Sequence, residues 1–259
     1  GVNIDGGSGN DTIWIGTAAA HSLAGGAGND FINFATMAIL TAAGTIDGGA
    51  NTDTLLSTSS LLNITDSMFA KVANVEVVSF VGATGANTLT VGTAAIAAGL
   101  TTILGSNLAT GDDNVTYTGS TAALSINLST GNDTLTLTSA GATVTVSGVE
   151  AITASGSFAD TLIIGGTEAI TITSLNLSTG SDTVTITNTS GVIITAVTAT
   201  ESITGGAGSD VISSANGGLN YFDGGAGNDT VTMSTGNTTL SVANVETVIA
   251  SSTTGDIVT

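Results

Sequence analysis

A nine-residue sequence recurs through this chain, and its spacing restricts the fold to architectures in which successive turns lie over one another. The pattern Gly-Gly-x-Gly-x-Asp-x-(large apolar)-x occurs in full four times, from Gly6 to Trp14, Gly25 to Asn33, Gly205 to Ser213 and Gly224 to Thr232. A fifth copy, from Gly48 to Leu56, has Asn51 where the third Gly stands, and Asn is the next most tolerant residue of a left-handed backbone. Asp11 and Asp30 are 19 positions apart, as are Asp210 and Asp229. Two such units make one coil of a solenoid, so equivalent residues stack on neighbouring coils about 4.8 Å apart.

Shortened copies keep Gly-x-Asp-x-apolar: Thr110 to Val115 with Asp113, Thr130 to Leu135 with Asp133, and Thr179 to Val184 with Asp182. Met233 to Leu240 has the same frame without the Asp. Thr and aliphatic residues then alternate, as in Thr134-Leu135-Thr136-Leu137-Thr138 and Thr183-Val184-Thr185-Ile186-Thr187. Alternation with period two marks a half-buried strand. The composition agrees, because a core of Val, Ile, Leu, Ala and Thr with 3% aromatic residues suits narrow, evenly layered strands. The expected fold is all-β, a right-handed parallel β-helix or β-roll with one or two short helical turns at most. Those turns are expected at Thr65 to Val72, with Asp66 as N-cap, and at Thr93 to Gly99. The chain divides into repeat coils at 1–56, degenerate Thr/Ala-rich coils at 57–204 and repeat coils again at 205–259.

A second frame recurs around a single Glu, in Val72-Ala73-Asn74-Val75-Glu76, Val146-Ser147-Gly148-Val149-Glu150 and Val242-Ala243-Asn244-Val245-Glu246, with a weaker copy at Thr200-Glu201-Ser202-Ile203. Each Glu is either a solvent-facing point on its coil or a lateral contact or cation ligand.

Charge then narrows the chemistry. The chain carries 20 acidic residues, 15 of them Asp, against one Lys and no Arg, for a net charge of −19. It lacks the cationic face that nucleic acid or an anionic membrane needs, so neither is an expected partner. Carboxylates stacked on adjacent coils in Gly-rich turns repel one another unless a cation lies between them. Glycine permits the positive φ that aims carbonyls inward. Carboxylates with carbonyls, and without Cys or a second His, form an oxygen shell that favours Ca²⁺ over magnesium, zinc or iron. The apolar residue two places after each Asp (Ile13, Ile32, Leu55, Ile212, Val231) is expected to point into the core. Asp5, Asp47 and Asp223, just before Gly-Gly, are turn formers or extra ligands.

These nonapeptides resemble the RTX calcium repeats of bacterial proteins exported by type I secretion. Full repeats mixed with Thr/Ala-rich coils and Val-Glu strands resemble RTX-type surface-layer proteins. The resemblance implies a β-roll that folds on calcium after export, at a secreted or cell-surface location. Carried onto this chain, it makes Asp11, Asp30, Asp53, Asp210 and Asp229 carboxylate ligands. The carbonyls of Gly6, Ser8, Gly25, Ala27, Gly205, Ala207, Gly224 and Ala226 would complete the shells. Asp113, Asp133 and Asp182 are the corresponding candidates in the shortened copies.

No catalytic constellation is visible. His21 is the only His, and it reads as a partly exposed spacer between two turns. Trp14 reads as a core filler rather than an outward contact. The expected function is a structural subunit, a homo-oligomer forming a lattice or filament, not an enzyme and not inserted in a membrane. A cell-surface polysaccharide could anchor it through further regions, since the chain opens inside a repeat and closes on Gly255-Asp256-Ile257, the start of another. Two alternatives stand beside this one. The first is the calcium-binding tail of a secreted enzyme or toxin, which usually keeps its nonapeptides consecutive. The second is an adhesin or ice-binding solenoid, suggested by the Thr-x-Thr rows. Its flat array would need a constant coil length, whereas Asp113 to Asp133 is 20 residues and Asp182 to Asp210 is 28.

Overall fold

A computed structural model describes residues 1–16, 18–59, 61–108, 111–119, 122–138, 141–200, 202–215, 218–234, 239–251 and 255–259. Thr110, Glu201, Gly236 and Asn237 lie outside the described residues. The chain forms two units, Gly1–Asp133 and Thr134–Thr259. Each is a parallel β-solenoid.

In the first unit, Thr12–Ile15, Phe31–Phe34, Thr54–Leu56, Val77–Ser79, Thr102–Leu104 and Leu124–Asn127 pair successively in parallel. A second face is built from Asn3–Ser8, Ser22–Ala27, Thr45–Ala50 and Val72–Ala73. A third joins Asn63–Ile64, Thr88–Val91 and Asn114–Tyr117. The second unit has two such ladders. One runs through Thr134–Leu137, Ala151–Ala154, Ser174–Asn176, Val192–Thr198, Val211–Ser214, Thr230–Met233 and Thr247–Ile249. The other runs through Thr143–Ser147, Thr161–Ile164, Thr183–Ile186, Ser202–Thr204, Tyr221–Asp223, Thr239–Ala243 and Ile257–Val258.

Alternation decides what each strand buries. Ile13, Ile32, Leu55, Val78, Ile103 and Ile126 sit opposite one another in register and form one buried apolar file. Ile212 and Val231 do the same in the second unit. The five apolar positions expected to point inward all do so. Trp14 does not: its neighbours Ile13 and Ile15 take the inward places, which turns the indole outward at 69% exposure, so the core-filler expectation is corrected.

Coil length varies without disturbing register. Partner residues are 19 apart at Thr12 and Phe31, 23 at Phe31 and Thr54, and 25 at Val77 and Thr102. In the second unit the interval is 17 at Thr134 and Ala151 and 22 at Thr161 and Thr183. Loops take up the difference, so unequal Asp intervals leave the strands aligned.

Three short helices occur among the described residues, Met37–Ala42, Asp66–Lys71 (a 3₁₀ helix) and Thr93–Ala97. The first has no side-chain N-cap and no sequence signal. Asp66 is not the cap of its own helix. Its carboxylate accepts the N–H groups of Gly92, Ala94 and Ala95 at 2.7, 3.1 and 2.9 Å, and so caps the helix of the next coil. None of the described helices is long and apolar enough to cross a membrane.

Candidate metal centre

The Asp of each nonapeptide sits where a Gly-rich turn re-enters a strand, and the coils superpose these residues into rows. The Asp11 N–H donates to Asp30 Oδ1 at 2.8 Å, Asp30 N–H to Asp53 Oδ1 at 2.8 Å, and Asp53 N–H to Glu76 Oε2 at 2.8 Å. In the second unit Val192 N–H donates to Asp210 Oδ1 (2.8 Å), Asp210 N–H to Asp229 Oδ1 (2.8 Å) and Asp229 N–H to Glu246 Oε2 (2.7 Å). One carboxylate oxygen of Asp30, Asp53, Asp210 and Asp229 is therefore spent on the neighbouring coil's backbone.

The other oxygen is the informative one. Oδ2 of Asp11, Asp30, Asp53 and Asp229 is buried and has no hydrogen-bond partner among the described residues. A buried polar atom left unsatisfied costs about 1–3 kcal/mol, and more when charged. Each of these oxygens lies against the first Gly of its own repeat, where carbonyls of the next coil also arrive. A Cβ on Gly25 would strike both Asp30 Oδ2 and the Gly48 carbonyl. On Gly224 it would strike Asp229 Oδ2 and the Asn244 carbonyl. The glycine is needed because acidic and carbonyl oxygens converge on its Cα.

Burial, the largest influence, pushes the Asp53 carboxyl above the usual range. The Asp30 N–H opposes the shift, while the negative charges of Asp30, Glu76 and Asp47 reinforce it. Burial likewise raises Asp229, again opposed by one N–H and reinforced by Glu246 and Asp223. It raises Asp210 against the N–H groups of Val192 and Gly206, with the charge of Asp229 adding to the rise. These carboxylates lack counter-charge. The only Lys, Lys71, donates to the Ala43 carbonyl, and His21 Nδ1 accepts the Val2 N–H.

The expected carbonyl ligands divide between the two blocks. Gly6, Ser8, Gly25 and Ala27 lie within the paired strands Asn3–Ser8 and Ser22–Ala27, and the Ala27 carbonyl accepts the Gly9 N–H. Gly205, Ala207, Gly224 and Ala226 lie in loops that follow Ser202–Thr204 and Tyr221–Asp223, with Ala226 N–H donating to Gly206 O. Asp5 and Asp223 accept the N–H two residues ahead, at Gly7 and Gly225, which is a turn former's bond. Among the described residues no three His, Cys, Asp or Glu side chains gather around a point. An ion here would draw most of its shell from carbonyls. That donor set, all oxygen with one or two carboxylates, fits calcium.

The shortened copy around Asp113 closes differently. Asp113 Oδ1 accepts Asn87 Nδ2 at 2.9 Å, and its Oδ2 accepts the Ser106 N–H at 2.6 Å. Its N–H donates to Asp133 Oδ1 at 2.6 Å. Two row members escaped sequence reading. Asp160 accepts the Ala142 N–H at 2.7 Å and donates its own N–H to Asp182 Oδ1 at 2.8 Å. Asn87 accepts the Leu62 N–H at 3.1 Å. Asp160 follows Phe158-Ala159 in place of Gly-x, but the signal was present downstream: Asp-Thr-aliphatic follows at Asp11, Asp53, Asp133, Asp160, Asp182 and Asp229, and Asn87 opens Asn-Thr-Leu.

Compared with known proteins, the chain matches no family model, no curated protein and no solved structure.

Proposed function

We propose that this chain is a calcium-binding structural solenoid of an exported bacterial protein, which folds and self-assembles into a cell-surface layer or filament when it meets extracellular calcium. The observation that carries the reading is the set of buried Oδ2 atoms of Asp11, Asp30, Asp53 and Asp229, held against glycines and carbonyl oxygens with no donor to meet them among the described residues. A bound calcium would supply the positive charge that this −19 chain does not. The Asp rows hold the carboxylates in place through N–H groups of adjacent coils, and the glycines let the backbone approach. Extracellular calcium modules bind at about 10⁻⁴ to 10⁻³ M, so the sites would be empty at cytosolic calcium and filled outside the cell. The sole His, on which a Ser-His-Asp arrangement would have to rest, is engaged by the Val2 N–H.

The test is far-UV circular dichroism and calorimetry of the chain in chelator and in millimolar calcium, followed by electron microscopy of the calcium-loaded protein. Calcium uptake with a gain of β signal, then sheets or filaments, is the expected outcome. An unchanged spectrum and no binding heat would overturn the calcium reading. Calcium binding with persistent monomers would favour the β-roll tail of a secreted enzyme or toxin over an assembling subunit.

A further inference from the structure

The two Val-Ala-Asn-Val-Glu coils are related to the nonapeptides in a way that their sequences conceal. Asp47 stands opposite Ala73, and Asp223 opposite Ala243. From those partners the nonapeptide takes six residues to reach Asp53 or Asp229, and the facing coil takes three to reach Glu76 or Glu246. Glu is one methylene longer than Asp, and it bridges the shorter turn to receive the same N–H that an Asp receives elsewhere in the row. The middle Asn of each frame is left-handed, with φ of 51° at Asn74 and 48° at Asn244. Its amide donates to the acid before Gly-Gly, Asn74 Nδ2 to Asp47 Oδ1 at 2.7 Å and Asn244 Nδ2 to Asp223 Oδ1 at 2.8 Å. This geometry turns the Asn carbonyl onto Gly48 or Gly224, where Asp53 Oδ2 or Asp229 Oδ2 also points.

We propose that each Val-Ala-Asn-Val-Glu coil is the closing half of a cation site that ends a repeat row. In it the Asn74 (or Asn244) carbonyl and Asp53 (or Asp229) Oδ2 face one calcium ion, and Glu76 (or Glu246) supplies the second nearby negative charge. The inference rests on the calcium reading above and extends it to residues outside the nonapeptides. Three observations carry it. The arrangement occurs twice, once in each unit, with matching bonds and matching backbone angles. Asp53 and Asp229 are at most 1% exposed, and each aims an oxygen without a hydrogen-bond partner into the site. The chain's only Lys is committed to Ala43. Where the row needs no ion, the sequence places an amide instead: Asn87 Nδ2 donates to Asp113 Oδ1 and to the Gly85 carbonyl.

The test counts calcium ions on the full chain by calorimetry and terbium luminescence. Glu76→Gln and Glu246→Gln keep the acceptor for the Asp53 or Asp229 N–H and remove one charge. Each is expected to weaken one site by about tenfold or more and leave the others untouched, with effects that add in the double variant. Asn74→Gly keeps the left-handed turn and should retain the site, whereas Asn74→Val, which resists that conformation, should lose one ion. If both Glu variants bind calcium with unchanged affinity at every site, Glu is only a hydrogen-bond cap and the inference falls while the calcium reading stands. If the unmodified chain binds no calcium, both fall.

Discussion

Asp30 and Asp113 occupy equivalent places in the Asp rows of one unit, yet their carboxylates are satisfied in different ways. Asp30 gives Oδ1 to the Asp11 N–H and leaves Oδ2 buried and unmet. Asp113 gives Oδ1 to the amide of Asn87 and Oδ2 to the Ser106 N–H. The repeat around Asp30 opens with Gly25-Gly26, and the Gly48 carbonyl reaches the same glycine as Asp30 Oδ2. At Asp113 the Ser106 N–H reaches Oδ2, as the Gly206 N–H reaches Oδ2 of Asp210 within a full repeat at 3.3 Å. The same fold position therefore either has a donor for its second carboxylate oxygen or has none among the described residues. Both classes of Asp are legible as acids in a Gly turn, but only the donor that faces Oδ2 separates them.

Calcium removal should separate the two classes most strongly. A site filled at a hundred times its dissociation constant stabilises the fold by about 2.7 kcal/mol, equivalent to about a hundredfold in opening equilibrium. Hydrogen exchange in chelator should accelerate by at least about that factor in Thr12–Ile15, Phe31–Phe34 and Thr230–Met233, while Thr88–Val91 and Asn114–Tyr117 change little. Uniform acceleration in both regions would erase the distinction. A smaller effect, with opposite signs, comes from Asp→Asn substitutions in chelator. Asp30→Asn puts an NH₂ beside the Gly48 carbonyl and should stabilise the calcium-free chain by about 1–3 kcal/mol, with one calcium lost. Asp113→Asn faces two donors with one acceptor oxygen and should destabilise by a similar amount. Urea unfolding midpoints read both.

The solenoid was legible because period and alternation act through backbone geometry alone. Ile13, Ile32 and Leu55 point inward for the reason their spacing gives. What escaped were features set by contacts between coils. Asp160 lacks the preceding Gly-x and shares only the Asp-Thr-aliphatic continuation, and its bonds to Ala142 and Asp182 establish it as a row member. Trp14 is bulky and apolar, but strand alternation outweighs hydrophobicity and turns it outward. The role of Glu76 depends on the facing turn being three residues longer, which no reading of one coil reveals. Asp66 looked like a cap for the helix it begins and instead caps the helix one coil later.

Acidity tests the comparison from another side. Burial holds the Asp53, Asp210 and Asp229 carboxyls above the ordinary carboxylate range, so the folded, calcium-free chain favours their protonated forms. Stability from these groups is complete below the unfolded value of about 3.9 and is withdrawn as pH rises through the raised values. In chelator the melting temperature should be higher at pH 4.5 than at pH 7.5, the reverse of ordinary acid denaturation. In calcium the order should invert, because the ion binds the ionised forms. Calcium-free melting that is unchanged or improves toward neutrality would mean that burial does not hold these carboxyls above the ordinary range.

The smallest expected effect concerns the imperfect repeat. Asn51 stands at the third Gly position with φ of 87°, a left-handed conformation that Asn tolerates better than most residues but less well than Gly. The backbone there is already the one the motif requires, so Asn51→Gly removes side-chain strain without moving a ligand. It should stabilise the chain by less than about 1 kcal/mol with calcium affinity unchanged. A gain in affinity would place the Asn side chain in the path of the ion and make the fifth copy an attenuated site. Unchanged affinity would leave it equal to the full repeats, with Gly preferred at that position only for its backbone.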